Sequence, residues 1–162
     1  MERVAIFVDV QNIYYTVRQA YGAQFDYNAF WRRVTANREV IGATAFAIDR
    51  NDQKQRHFQS ILRGIGFKVK LKPFISRADG SAKGDWDVGI VLDILDAAPN
   101  VDVVVLASGD GDFDLLVQRL RERHNVIVEV YGVPQLTARS LIDAATRFNP
   151  IEGELLIVRS DS

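Results

Sequence analysis

The sequence predicts a single three-layer α/β/α domain around a mainly parallel sheet of five or six strands. Two observations carry this prediction. Short apolar runs rich in β-branched residues, such as Val103-Val104-Val105-Leu106, have the look of strands buried on both faces. These runs alternate with segments of helical periodicity, the pattern of strand–helix–strand crossovers. Right-handed crossovers then leave few topologies, and in the doubly wound order 3-2-1-4-5 the first and fourth strands are neighbours. Both of those strands lead into an aspartate, Asp9 and Asp110. Both carboxylates are therefore expected at the carboxyl edge of the sheet, at the switch point where ligands of such folds bind.

Each element has its own signal. Residues 3–9, RVAIFVD, form the first strand, and 13–21 a helix that Gly22 ends. Residues 26–38 read as a second helix with Asp26 as N-cap and Phe30, Trp31 and Val34 on its apolar side. Small and apolar residues alternate over 40–49, a strand, and 52–64 is helical through Phe58, Ile61, Leu62 and Ile65. Over 67–74, Phe67, Val69 and Leu71 alternate with Lys68, Lys70 and Lys72, a strand of two unlike faces. The loop 73–83, PFISRADGSAK, carries Asp79-Gly80 as a turn or small hairpin. A helix over 87–98 is closed by Pro99, and a further helix follows Phe113, with Leu115, Leu116 and Leu120 on one side. Residues 126–131 are a strand, 137–145 a helix, and 155–158 a terminal edge strand. The domain spans 1–162, with a core of about 3–148 and a C-terminal extension over 149–162.

Composition narrows the chemistry. The 162 residues are 48% hydrophobic, enough for one sizeable core. With no cysteine, neither disulfides nor thiolate metal sites can form, and His57 and His124, expected at the surface, are too few for a histidine-rich zinc site. Asp93 and Asp96 interrupt the longest apolar stretch, and MERVAIFVDV lacks the features of a signal peptide, so a cytoplasmic protein is expected. A net charge of −1 argues against bulk electrostatic binding to nucleic acid but not against a local patch. Such a patch exists: Arg50, Lys54, Arg56, Arg63, Lys68, Lys70, Lys72, Arg77 and Lys83 are opposed only by Asp52 and Asp79.

The acidic residues gather elsewhere. After the fourth strand comes Ser108-Gly109-Asp110-Gly111-Asp112, whose glycines allow a tight backbone path. Aspartates at such a turn also serve as helix caps. On the helix starting at Asp87, Val91, Ile94, Leu95 and Ala98 fall within about 80° of Asp87 itself. A carboxylate on the sheet-facing side of a helix is costly to desolvate without compensation. Asp93 and Asp96 point away and read as solvated. Asp9, Asp87, Asp110 and Asp112 would then face one another, and such a cluster holds either protons or a cation. Ligands that are all oxygen select a hard ion, Mg²⁺ or Mn²⁺. Held beside basic residues, such an ion suits phosphodiester cleavage.

Three motifs give a family resemblance: Phe7-Val8-Asp9 with Asn12, Lys83-Gly84 followed by Asp87-Val88, and Ser108-Gly109-Asp110-Gly111-Asp112-Phe113. In order and spacing they resemble the NYN family of PIN-like nuclease domains, and most closely its LabA-like (DUF88) branch. Two residues, Asp85 and Trp86, stand where the family usually has one, and the helical wheel favours Asp87 over Asp85 for the metal-facing place. Family members also tend to have an acid at the place of Asp93. The resemblance implies a PIN-like/Rossmann-like fold and a metal-dependent ribonuclease acting on single-stranded or structured RNA. Asp9, Asp87, Asp110 and Asp112 would hold Mg²⁺ or Mn²⁺ and activate water. Asn12 would orient the first carboxylate or touch substrate, and Ser108 would act similarly; their alternatives are an N-cap and a turn hydroxyl. Lys83 would contact a substrate phosphate, or is a solvated loop lysine.

Lys68, Lys70 and Lys72 read first as the guard of an exposed edge. Tyr14 and Tyr15 could stack on a base, although packing in a helix core is the simpler expectation. Glutamine at position 11 argues against a haloacid-dehalogenase phosphatase, which needs an aspartate there. The Asp110-Gly111-Asp112 pair argues against a receiver domain, and DVQN after the first strand against a dinucleotide site. The remaining rival is a non-catalytic RNA- or protein-binding regulatory domain on the same fold. The sequence leaves oligomeric state open, a homodimer included.

Overall fold

The computed structural model describes residues 1–73, 75–76, 82–83 and 86–158, with the backbone alone at 73, 75–76 and 82–83. In chain order the elements are β1 (Glu2–Asp9), α1 (Val10–Tyr21), β2 (Gln24–Phe25), α2 (Tyr27–Thr35), β3 (Arg38–Asp49) and α3 (Gln53–Ile65). Next come β4 (Lys68–Pro73), β5 (Ile75–Ser76), β6 (Ala82–Lys83), α4 (Asp87–Ala97), β7 (Val103–Ala107) and α5 (Asp114–Arg123). The chain continues through β8 (Ile127–Gly132), α6 (Arg139–Ala144), β9 (Arg147–Pro150) and β10 (Leu156–Ile157).

Six strands form one sheet in the order β4-β3-β1-β7-β8-β9, every neighbour parallel. The alternation of each buried strand builds two cores. Val4, Ile6, Val8, Val103 and Val105 pack with Ile13, Val17, Phe30 and Leu62 of α1, α2 and α3. Ala5, Phe7, Val104 and Leu106 pack with Ile90, Ile94, Leu116, Leu120 and Leu141 of α4, α5 and α6. The helices therefore change sides of the sheet between β4 and β7, which makes the β1–β7 seam the switch point, as the expected strand order requires. No helix among the described residues is long and apolar enough to cross a membrane.

Several expectations are corrected. The sheet's second edge is β9, from a stretch assigned no element, because RFNP has no apolar run and gains its extended form from pairing with β8. The terminal strand instead pairs antiparallel with β2 in a separate ribbon, so it is not an edge of the main sheet. The second helix ends at Thr35, because Asn37 adopts a left-handed φ of 58° and Arg38 already begins β3. The helix expected over 137–145 is only Arg139–Ala144. In α5 the buried residues are Leu116, Val117 and Leu120, while Leu115 is 72% exposed. Tyr14 and Tyr15 are half exposed rather than core residues. Asp93 is not solvated: it is partly buried and paired with the Lys70 ammonium. The lysine strand β4 does form an edge. The hairpin expected near Asp79-Gly80 lies outside the described residues at its tip, while its flanks pair as β5 and β6.

At the amino ends of the strands, Glu129 on β8 is a buried carboxylate. Arg38 of β3 grips it with two bonds of 3.0 Å, and Arg147 of β9 adds one of 2.8 Å. The carboxylate's bonding and charge raise the pKa of Arg38 against the opposing effect of burial. Side-chain exposure is 12% for Arg38 and 7% for Glu129, but 56% for Arg147, so the Arg38 pair is the costly one to break. Glu129→Ala is expected to destabilise the fold by about 3 kcal/mol, since it leaves the largely buried Arg38 guanidinium with only Glu2 and the Val34 carbonyl as partners. Arg147→Ala is expected to cost no more than about 1 kcal/mol. Urea denaturation of the two variants checks this ordering.

Candidate active site

The seam between β1 and β7 sets the geometry. Val8 lies opposite Ala107 in parallel register, so the next residues of each strand, Asp9 and Ser108, leave the sheet side by side. Ser108 Oγ donates to Asp9 Oδ2 at 3.1 Å and accepts the Asp110 N–H at 3.2 Å. The Asp9 carboxylate also caps α1, accepting from Asn12 N at 3.5 Å. The N-cap is thus Asp9, not Asn12. The Asn12 side chain does something else: its Oδ1 accepts the Gly109 N–H at 2.9 Å and ties the first turn of α1 to the turn after β7.

In that turn Asp110 Oδ1 accepts the Asp112 N–H at 2.9 Å, capping a short 3₁₀ turn over Gly111–Phe113 that leads into α5. Neither Gly109 nor Gly111 has a positive φ. Conformational freedom is therefore not why glycine stands there; close approach is. A Cβ at Gly109 would lie 2.8 Å from the Leu136 carbonyl oxygen, and one at Gly111 would lie 2.8 Å from Ala138 Cβ. The strand-to-helix turn is pressed against the chain entering α6, and Ala138 N donates to Gly109 O at 3.0 Å. Buried Thr137 completes this packing, with its Oγ1 donating to Val133 O at 2.7 Å.

Asp87 arrives from the other side of the sheet as the first residue of α4. The anchor is its neighbour. Trp86 Nε1 donates to Ala47 O of β3 at 2.8 Å, and its ring stands edge-on to Phe46. Lys72 Nζ lies 5.6 Å from the centre of the same ring. A Cβ on Gly89 would come within 2.5 Å of the Trp86 ring, so Gly89 lets the indole fold under its own helix. The helix amino end also carries a partial positive charge that attracts the Asp87 side chain.

Carboxylate oxygens of Asp87, Asp110 and Asp112 all lie within 4.8 Å of one another. Asp9 is not in this group and joins it through Ser108. Two unit charges at that separation repel by roughly 3 kcal/mol at an effective dielectric of about 20. Three oxygen donors with no sulfur or nitrogen among them fit a hard divalent cation. Lys83 belongs to β6 by its backbone, but its side chain, like Gly84 and Asp85, lies outside the described residues. Of the features that fix this site, Thr137 was not singled out by the sequence, and Trp86 was named without a role. A glycine one turn after a tryptophan, and one closing a strand at Gly132, are the only hints of such close packing.

A six-stranded parallel sheet with three carboxylates gathered at its switch point is the arrangement of a PIN-like fold. The family model for the NYN domain matches residues 3–152. The chain belongs to the NYN family. It is 33% identical over 158 residues to the low amplitude and bright protein LabA of Synechococcus elongatus, covering 90% of this chain and 82% of that one. A crystal structure of a protein of unknown function from Vibrio parahaemolyticus is 59% identical, with a TM-score of 0.92 over 96% of each chain.

Replacing Gly109 by alanine is expected to cost about 1–3 kcal/mol, because the facing atom is a backbone carbonyl that cannot swing aside. Gly64→Ala, in open space on α3, is expected to stabilise by about 0.5–1 kcal/mol. Opposite signs in chemical denaturation would bear out the close-approach account.

Proposed function

We propose that this NYN domain is a metal-dependent ribonuclease that hydrolyses RNA phosphodiester bonds. The observation that carries the proposal is the convergence of Asp87, Asp110 and Asp112 from two separate segments onto one point. Mutual repulsion of the three carboxylates opposes it. These three side chains would hold Mg²⁺ or Mn²⁺, which supplies polarisation of a phosphoryl oxygen and a lowered pKa for an attacking water. Asp9, fixed by Ser108 and the amino end of α1, adds negative charge beside the three and would help orient that water. Asn12 would act by holding the turn, through Gly109, rather than by touching RNA. Lys83 would steer a substrate phosphate, consistent with its place at the end of the hairpin before α4.

The experiment is cleavage of labelled single-stranded and structured RNA with Mg²⁺, Mn²⁺ or EDTA, by the wild type and Asp110→Asn. Cleavage is expected only with metal and is expected to fall at least about a hundredfold in the variant. A thermal-shift measurement reads the metal independently of any substrate. Mn²⁺ at about 100 times its Kd should stabilise the wild type by about 2.7 kcal/mol. Asp112→Asn should show little of that gain, yet be at least as stable as the wild type in EDTA, having lost a repulsion. Equal metal shifts in both proteins would remove the carboxylates as the metal site. RNA binding without cleavage, and unaffected by EDTA, would favour a non-catalytic binding domain.

A further inference from the structure

A cavity of about 620 Å³ opens between α1 and α3, starting at Val10, the residue after Asp9. That volume lies within the range of small-molecule sites, about 300–1,000 Å³. Its wall carries Tyr14 and Tyr15, which are 50% and 49% exposed and stand edge-to-face at 5.2 Å. Exposed aromatic pairs on a helix contribute little to a core, so their placement here calls for another explanation. Arg18 lies over the Tyr14 ring and donates to its hydroxyl at 2.9 Å, which holds the ring in place.

Gln59 of α3 is the second, independent observation. It is only 5% exposed, lines the cavity, and its side chain makes no hydrogen bond among the described residues. Its amide opens to the cavity, where it offers a carbonyl acceptor and two N–H donors. Arg50 and Lys54, from the basic stretch of the sequence, border the same cavity. Burial first, and then the charge of Asp9, raise the pKa of Tyr27 on the cavity wall.

Aromatic faces, an unpaired amide and flanking cations are the means by which proteins hold an unstacked base and its phosphate. We propose that the α1–α3 cavity takes one unpaired nucleobase of an RNA strand, stacked against Tyr14 or Tyr15, with its edge hydrogen-bonded by Gln59. This rests on RNA being the ligand of the domain and adds where a base adjacent to the reacting phosphate would sit. The amide gives the site a means of distinguishing bases, and the tyrosines give it affinity for any of them.

The test is photocrosslinking of the full chain, in EDTA, to a short single-stranded RNA with 4-thiouridine placed at each position in turn. One position is expected to crosslink to peptides spanning 10–18 and 50–59. Gln59→Leu and, separately, Tyr15→Ala are expected to weaken binding of that RNA about tenfold. Neither should affect a strand bearing an abasic unit at that position. Tyr15 is exposed, so its variant keeps the test valid even if Gln59→Leu disturbs α3. Crosslinks that map elsewhere, or two variants that bind like the wild type, would overturn the proposal. Metal-dependent cleavage with crosslinks elsewhere would sink the cavity alone. Crosslinks here without cleavage would sink the nuclease reading alone. Absence of RNA binding would sink both.

Discussion

The parallel pairing of β1 with β7 is the constraint from which the site follows. Their register sets Val8 against Ala107, and two chains of opposite local purpose, one entering α1 and one entering the 3₁₀ turn, part at the same height. A shift of one residue would turn every side chain of β1 to the opposite core and carry Asp9 away from Ser108. The alternation of both strands opposes such a shift, because Ile6 and Val8 fill one core and Ala5 and Phe7 the other. The seam is then locked twice beyond the sheet, by Ser108 on Asp9 and by Asn12 on Gly109.

A rigid frame is needed because the carboxylates it presents repel one another. Side chains bonded to backbone groups resist that repulsion: the Asp110 carboxylate caps the turn it shares with Asp112, packed against the start of α6, and the Trp86 indole pegs the start of α4 to β3. The remote amino end of the sheet contributes as well. Glu129 and Arg38 stand on strands separated by β1 and β7, so their ion pair straddles the same seam at the end away from the acids. Free energy given up at one edge of the sheet is thus offset by burial and charge pairing elsewhere, a division common where a site must keep groups that packing alone would reject.

The fold was largely legible because its signals are local and repeated. Continuous apolar runs such as Val103–Ala107 can satisfy neither a half-exposed strand nor a surface helix, and the order of strands follows from crossover handedness. The approach of Asp87 to Asp110 and Asp112 was legible for the same reason, since a helical wheel depends only on its own segment. What stayed hidden depends on distant partners. Nothing in RFNP announces β9, whose extended form comes from β8. The glycines of the SGDGD turn look like conformational hinges, but their role is to admit Leu136 and Ala138, some twenty-seven residues away. Tyr14 and Tyr15 look like core residues until the width of the space between α1 and α3 is known. Lys70 and Asp93 carry opposite charges, but only the fold brings β4 and α4 within reach.

The four aspartates divide by the backbone that carries them. Asp9 ends a strand, and its carboxylate is committed to the amino end of α1 and to Ser108. It is a charge fixed in direction and shared with the fold. Asp110 gives one oxygen to its own turn while its carboxylate also lies in the cluster with Asp87 and Asp112. Asp87 stands at a helix start on the opposite face of the sheet from α1. The acids therefore occupy the α4 side of the switch point and the tyrosine-lined cavity the α1 side, with Asp9 between them. An RNA strand lying across the carboxyl edge of the sheet would meet both, its phosphate at the carboxylates and a base beside α1. The carboxylates repel any phosphate that comes without a cation, so attraction must come from elsewhere. Arg18, Arg50 and Lys54 are on the cavity side, so on the proposed reading that side would be the point of first contact.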